Sequence, residues 1–81
     1  MLCVVFKSTR KADTYLYMPV DGDFEALPEG LQHLFSARQE AMRILVKADR
    51  KFARFSGAQL LEQLNEEGYY LQLPPAHDAV V

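Results

Sequence analysis

The clearest pattern of apolar and polar positions lies in the last third of the chain. Leucines recur there at helical spacing and predict an amphipathic helix. Its apolar stripe consists of Leu60, Leu61 and Leu64. Ser56 and Gln59 have the spacing of a capping box at the helix start. Gly68 stands where a residue in the left-handed conformation ends a helix. Glu66 and Glu67 in the last turn oppose the helix dipole, so they are either solvated or face a basic partner element.

The residues after the glycine alternate between two faces, which predicts a strand with one core face and one mixed face. The core face carries Tyr69, Leu71 and Leu73, and the mixed face carries Tyr70 and Gln72. Pro74 and Pro75 end this strand, because neither can donate a hydrogen bond to a sheet.

The first third of the chain predicts an antiparallel hairpin. Residues 2–6 form a continuous apolar run, which favours a strand that is buried on both faces or placed centrally. After a polar turn, residues 13–18 alternate Thr14, Leu16 and Met18 with Tyr15 and Tyr17. Pro19 closes the hairpin.

The middle of the chain predicts one short helix and one or two strands. Pro28 suits the first position of a helix whose buried stripe is Leu27, Leu31, Leu34 and Phe35. Residues 36–40 form a connector, and 41–46 alternate as a strand. A tight turn at 47–50 follows. Residues 51–55 either return as a short strand or form an irregular segment anchored by Phe52 and Phe55.

The predicted order of elements is therefore β-β-α-β-(β)-α-β. It indicates an α+β, two-layer domain in which two helices cover one face of a largely antiparallel sheet of four to five strands. We expect one domain at 1–75 and a frayed C-terminal tail at 76–81. Which strand lies beside the last one is left open by the pattern.

Composition agrees with a small domain from a reducing compartment. The chain has 81 residues, of which 49% are hydrophobic, and a single cysteine. That cysteine, Cys3, excludes an internal disulfide and is expected to be a small buried hydrophobe. No apolar run has membrane-spanning length and no secretory leader is recognisable, so we expect a cytoplasmic protein with no membrane partner.

The formal net charge of −2 hides a segregation of charges. All nine basic residues fall within 7–11 and 38–54, whereas 13–29 contains only acids. Such a chain can fold into a molecule with distinct positive and negative faces.

Three runs of the sequence resemble the YcgL family of small bacterial proteins. They are EEGYYLQLPP near the end of the chain, LCVVFKS at the start and DTYLYMP after it. The resemblance covers roughly residues 1 to 75. It implies a compact α+β domain of the bacterial cytoplasm, and it implies no activity.

Motifs that would indicate catalysis or metal binding are missing from the sequence. Cys3, His33 and His77 are scattered, and the DGD run at 21–23 lacks the rest of a calcium-binding loop. The serines and Thr9 are explained by turns and caps, and no glycine-rich phosphate loop occurs. We therefore expect no enzyme, no metal and no cofactor.

Two kinds of binding protein are compatible with the residues. The first is an interaction or regulatory module, with an unidentified protein partner and a monomeric or weakly dimeric state; tyrosine and arginine suit binding surfaces. The second is an RNA-binding accessory protein, in which basic residues of 43–55 contact phosphates and aromatic rings stack on bases. A pI near 5.6 opposes the second. The candidate binding residues for both are Tyr15, Tyr17, Arg43, Lys47, Arg50, Lys51, Arg54 and Tyr70.

Overall fold

The computed structural model of the chain describes residues 1–52 and 55–73. The elements, in chain order, are β1 (Leu2–Lys7), β2 (Tyr15–Pro19), a single 3₁₀ turn (Phe24–Ala26), α1 (Glu29–Leu34), β3 (Gln39–Leu45), α2 (Gly57–Glu67) and β4 (Tyr70–Gln72). The four strands form one sheet in the order β3-β1-β2-β4, and every neighbouring pair is antiparallel. The predicted α+β class, with an antiparallel sheet and two helices, is confirmed. The predicted frayed tail at 76–81 lies outside the described residues.

Strand β1 is the central element of the sheet. It pairs with β2 on one side, as the predicted hairpin, and with β3 on the other. Its residues Cys3, Val4 and Val5 are each at most 5% exposed. Because successive side chains of a strand point to opposite faces, these three positions bury both faces of the sheet.

The two faces of the sheet carry separate hydrophobic clusters. Val4 packs with Leu16, Met18, Leu27 and Phe35, which places the α1 side of the molecule on one face. The other face carries a cluster made of Cys3, Val46, Leu60 and Leu64, and here α2 supplies the cover. We call these the α1 face and the α2 face. The helices therefore lie on opposite faces of the sheet, whereas the sequence pattern predicted both over one face. The apolar run of β1 is buried on both sides and requires cover on each.

The β3 strand begins two residues earlier than predicted and contains a bulge. Val5 faces Met42 and Phe6 faces Glu40, so Ala41 is the extra residue. The described residues of 51–55 form a tight loop, in which the Phe52 N–H donates to the Phe55 carbonyl over 2.9 Å. This loop agrees with the irregular, phenylalanine-anchored alternative.

Helix α2 has both of its predicted caps. The Ser56 hydroxyl accepts the Gln59 N–H over 3.2 Å, and the Gln59 side chain accepts the Ser56 N–H over 2.9 Å. Gly68 ends the helix with φ at 82°. At the start of the helix, the Gly57 N–H donates to the Arg50 carbonyl, and a Cβ at Gly57 would collide with the Lys47 carbonyl. The turn at 47–50 is thereby fixed against α2.

The substitution Gly68→Ala should lower the free energy of unfolding by about 1 kcal/mol or more. No atom of the described residues lies within 4 Å of a Cβ at Gly68, so the cost is that of holding alanine at positive φ. Gly30 is a matched control, because it is equally open but lies inside α1. Gly30→Ala should raise stability by roughly 0.5–1 kcal/mol. Urea denaturation measures both, and a Gly68→Ala protein as stable as wild type would contradict the cap.

Candidate interaction surface

The three candidate tyrosines lie on the α2 face of the sheet. Tyr17 on β2 stands opposite Tyr70 on β4, and Tyr15 stands opposite Gln72. Directly opposed residues of an antiparallel pair share a face, as do residues two apart along one strand. The structure thus brings Tyr15, Tyr17 and Tyr70 to one side of the sheet, each of them half-buried.

Two of these tyrosines belong to an aromatic cluster, which we define as Tyr17, Phe52, Phe55 and Tyr70. The Tyr17 ring meets Phe55 and Tyr70 edge-on, with centroids 5.8 and 5.9 Å apart. Phe52 and Phe55 stack at 4.7 Å. Such pairs contribute roughly 0.5–1.5 kcal/mol each beyond the area that they bury. The Tyr17 hydroxyl also donates to the Gln72 side-chain oxygen over 3.0 Å. Sequence reasoning missed Gln72, because only the strand register reveals this pair.

Three of the candidate cations lie in the turn and loop that precede α2. We call Lys47, Arg50 and Lys51 the cationic turn. The turn is closed by the Arg50 N–H, which donates to the Lys47 carbonyl over 3.1 Å. All three side chains are exposed, and none forms an ion pair within 1–52 and 55–73. The Arg50 guanidinium lies 5.1 Å from the centre of the Phe52 ring, at the margin of the aromatic cluster. Arg54 lies outside the described residues.

Arg43, by contrast, is separated from the tyrosines. It stands opposite Val4 and therefore points to the α1 face. The bulge at Ala41 places Glu40 on that same face, although residues three apart in a regular strand point to opposite faces. Arg43 consequently donates to both Glu40 carboxylate oxygens, over 3.1 and 3.2 Å. These hydrogen bonds and the carboxylate charge raise the pKa of Arg43.

Arg38 is a second basic residue of the 38–54 block that lies away from the cationic turn. Its guanidinium carbon lies 3.7 Å from the centre of the Phe24 ring and 4.9 Å from that of Phe6. This arrangement anchors the connector between α1 and β3 through cation–π attraction. Among the described basic residues of 38–54, Arg38 and Arg43 thus lie away from the aromatic cluster. The remaining ones are those of the cationic turn.

The exposed charges around α2 oppose its dipole at both ends. The cationic turn adjoins the N-terminal end, where the helix dipole is already positive. Glu66 and Glu67 lie in the last turn, where it is negative, and the first turn of the helix contains no acid. Each glutamate of the last turn costs roughly 0.3–1 kcal/mol of helix stability.

Cys3 lies in the core of the α2 face rather than at a site. It is fully buried, as predicted. Burial raises the pKa of its thiol, and the nearby N-terminal ammonium offsets part of that shift. A protonated, buried thiol is a poor nucleophile. Within the described ranges, no three His, Cys, Asp or Glu side chains are grouped so that they could hold a metal ion.

Together these features define a small α+β domain with one helix on each face of its sheet. The cationic turn and the aromatic cluster together form a surface beside α2, which we call the aromatic–cationic surface. A family model described as the YcgL domain matches residues 3–75. A YcgL domain-containing protein of Pseudoalteromonas atlantica is 42% identical, across 96% of this chain and 82% of its own length. One from Serratia proteamaculans is 40% identical, across 93% of this chain and 83% of its own. The chain belongs to the YcgL family.

The helices of the described part are also short in relation to a lipid bilayer. Spanning the hydrocarbon core takes about 20 apolar residues in helical form. In the part of the chain that the structure describes, no helix has the length and apolar character to do so. The longer of the two helices, α2, has 11 residues and ends in two glutamates.

Burial of Cys3 predicts a specific dependence of stability on pH. The pKa of the thiol is raised in the folded state. The stability that the protonated thiol contributes is therefore fully present below the unfolded-state pKa of about 8.5. That contribution is lost as pH rises through the folded value. Urea denaturation from pH 7 to 10 should show a steeper loss of stability for wild type than for Cys3→Ala. Parallel curves for the two proteins would show that the thiol has no raised pKa.

Proposed function

We propose that this protein is a non-enzymatic interaction module of the bacterial cytoplasm that binds an acidic partner protein through the cationic turn and the aromatic cluster. The observation that carries the proposal is the position of Arg50 against Phe52. It sets a positive charge, which has no ion-pair partner in the described part of the chain, beside half-buried rings. Arginine and tyrosine in a partly exposed aromatic patch have the composition of interface hot spots.

The arrangement of the rings favours a protein partner over RNA. Bases stack on the open faces of aromatic side chains. The four rings of the aromatic cluster instead pack against one another, and Phe52 also carries Arg50 on one side. Arg43 and Arg38 lie away from the cationic turn, so they do not extend it into a longer row of cations that could contact successive phosphates. An aromatic patch with a few flanking cations fits an acidic protein surface.

RNA binding remains the second candidate because of Tyr15. This half-buried tyrosine stands opposite Lys7 on β1, and it belongs to no ring pair among the described residues. A ring with a neighbouring ammonium group can stack on a base while the ammonium contacts its phosphate. In this alternative, Tyr15 and the cationic turn would bind a single strand across the α2 face.

Titration of the protein with fluorescent single-stranded RNA tests the choice between these functions. We expect no binding at low salt, because the rings of the aromatic cluster pack against one another and are not open to bases. If its three cations instead contacted phosphates, affinity would fall about twentyfold for a fourfold rise in salt, at a slope near −0.7 per contact. Micromolar affinity with that slope would overturn the proposal.

Two double variants assign any binding to a surface. Arg50→Ala with Lys51→Ala removes an adjacent arginine and lysine from the cationic turn. Arg10→Ala with Lys11→Ala removes the same pair of charges from the β1–β2 turn, at the opposite end of β1. For an RNA site at the cationic turn, the first variant would flatten the salt dependence to the slope of the one remaining contact, and the second variant would leave the slope unchanged.

A further inference from the structure

Along the outer edge of β4, one residue has main-chain hydrogen-bonding groups with no partner among residues 1–52 and 55–73. Between β1 and β2, the Ser8 N–H donates to Thr14 over 3.0 Å and the Val20 N–H donates to Leu2 over 3.1 Å. The even-numbered residues of β2 therefore direct their main chain toward β1, and the odd-numbered ones toward β4.

This alternation fixes which residue of β4 faces outward. Tyr17 is opposite Tyr70 and Tyr15 is opposite Gln72, so these pairs exchange the hydrogen bonds of the β2–β4 ladder. Leu71 lies between them and directs its N–H and C=O away from the sheet. An unpaired edge of this kind is a template for another strand.

The edge of β4 forms the floor of a groove of about 610 Å³ between the two helices. The wall on the α1 face is apolar and includes Leu31, Tyr69 and Leu71. The wall on the α2 face is polar and includes Gln63 and Glu67, which are one helical turn apart on α2. Glu67 is exposed and has no ion pair among the described residues.

We propose that this groove binds an extended segment of a partner protein as a fifth strand, with apolar residues alternating with basic ones. The main chain of the segment would pair with Leu71. Its alternate side chains would then point to the two walls, the apolar ones toward Leu31 and the basic ones toward Glu67. The groove does not include the cationic turn, although Tyr70 of the aromatic cluster also lines it. The proposal does not rest on the function proposed above.

A second copy of the chain fits the groove less well than a single strand. The edge of β4 lies between two helices. A second copy that paired through its own β4 would therefore bring its two helices into the same space. Its α2 wall, with Gln63 and Glu67, would approach the same wall of the first copy and set like charges against each other. A lone extended segment with lysine or arginine encounters neither obstacle.

An isotope-labelled full-length protein and a synthetic eight-residue peptide of alternating valine and lysine test the proposal. On addition of the peptide, the Leu71 amide resonance should shift strongly and its exchange with solvent should slow, because the N–H gains an acceptor. The peptide residue opposite Leu71 must place its side chain on the same face as Leu71, so this residue is a valine. Opposed residues of this kind exchange main-chain hydrogen bonds, so the valine N–H groups point at β4 and the lysine N–H groups point away from it. N-methylation of the valines should abolish binding, whereas N-methylation of the lysines should preserve it.

Variants of α2 test the charge of the groove. Glu67→Gln should weaken peptide binding about fivefold, the effect of one partly exposed ion pair. Glu62→Gln is the matched control, because it removes the same charge from the same helix on a side that does not line the groove. The affinity of this variant for the peptide should stay within twofold of wild type. No binding at millimolar peptide, or binding that leaves the Leu71 amide unchanged, would overturn the proposal. So would a Leu71 shift that follows protein concentration without peptide, since a second copy would then occupy the groove.

Discussion

The burial of β1 on both of its faces is the constraint on which the rest of the structure depends. Cys3 and Val5 require cover on one side of the sheet, and Val4 requires it on the other. The described part of the chain has two short helices, and each face receives one. The pairing of β1 with both β2 and β3 then leaves β3 and β4 as the edges.

The candidate surfaces are consequences of this division. One helix cannot cover a whole face of a four-stranded sheet, so half-buried rings remain beside α2 and a groove remains beside β4. The two edges differ in their availability. The edge formed by β3 contains the bulge at Ala41 and charged side chains, features that discourage pairing with another strand. The β4 edge lacks such a bulge along its described length, and the helices beside it limit what can approach.

Local signals in the sequence predicted the elements, but long-range pairing determined the site. The capping box at Ser56 and the stop at Gly68 were predictable, because each depends on residues within one helical turn. The placement of the two helices on opposite faces was not, since both stripes are apolar and neither specifies a face. The position of Arg43 also escaped prediction: one extra residue in β3 turns it away from the tyrosines and toward Glu40.

The central claim, that the aromatic–cationic surface recognises a protein, is tested most directly by affinity capture with quantitative mass spectrometry. The bait is the wild-type chain, the Arg50→Ala/Lys51→Ala variant or the Arg10→Ala/Lys11→Ala variant, and the bacterial extract is used with and without nuclease. The account predicts a partner that survives nuclease treatment, is retained by the Arg10→Ala/Lys11→Ala control, and is lost with Arg50→Ala/Lys51→Ala. Captured proteins that disappear after nuclease treatment, or that bind all three baits equally, would contradict it.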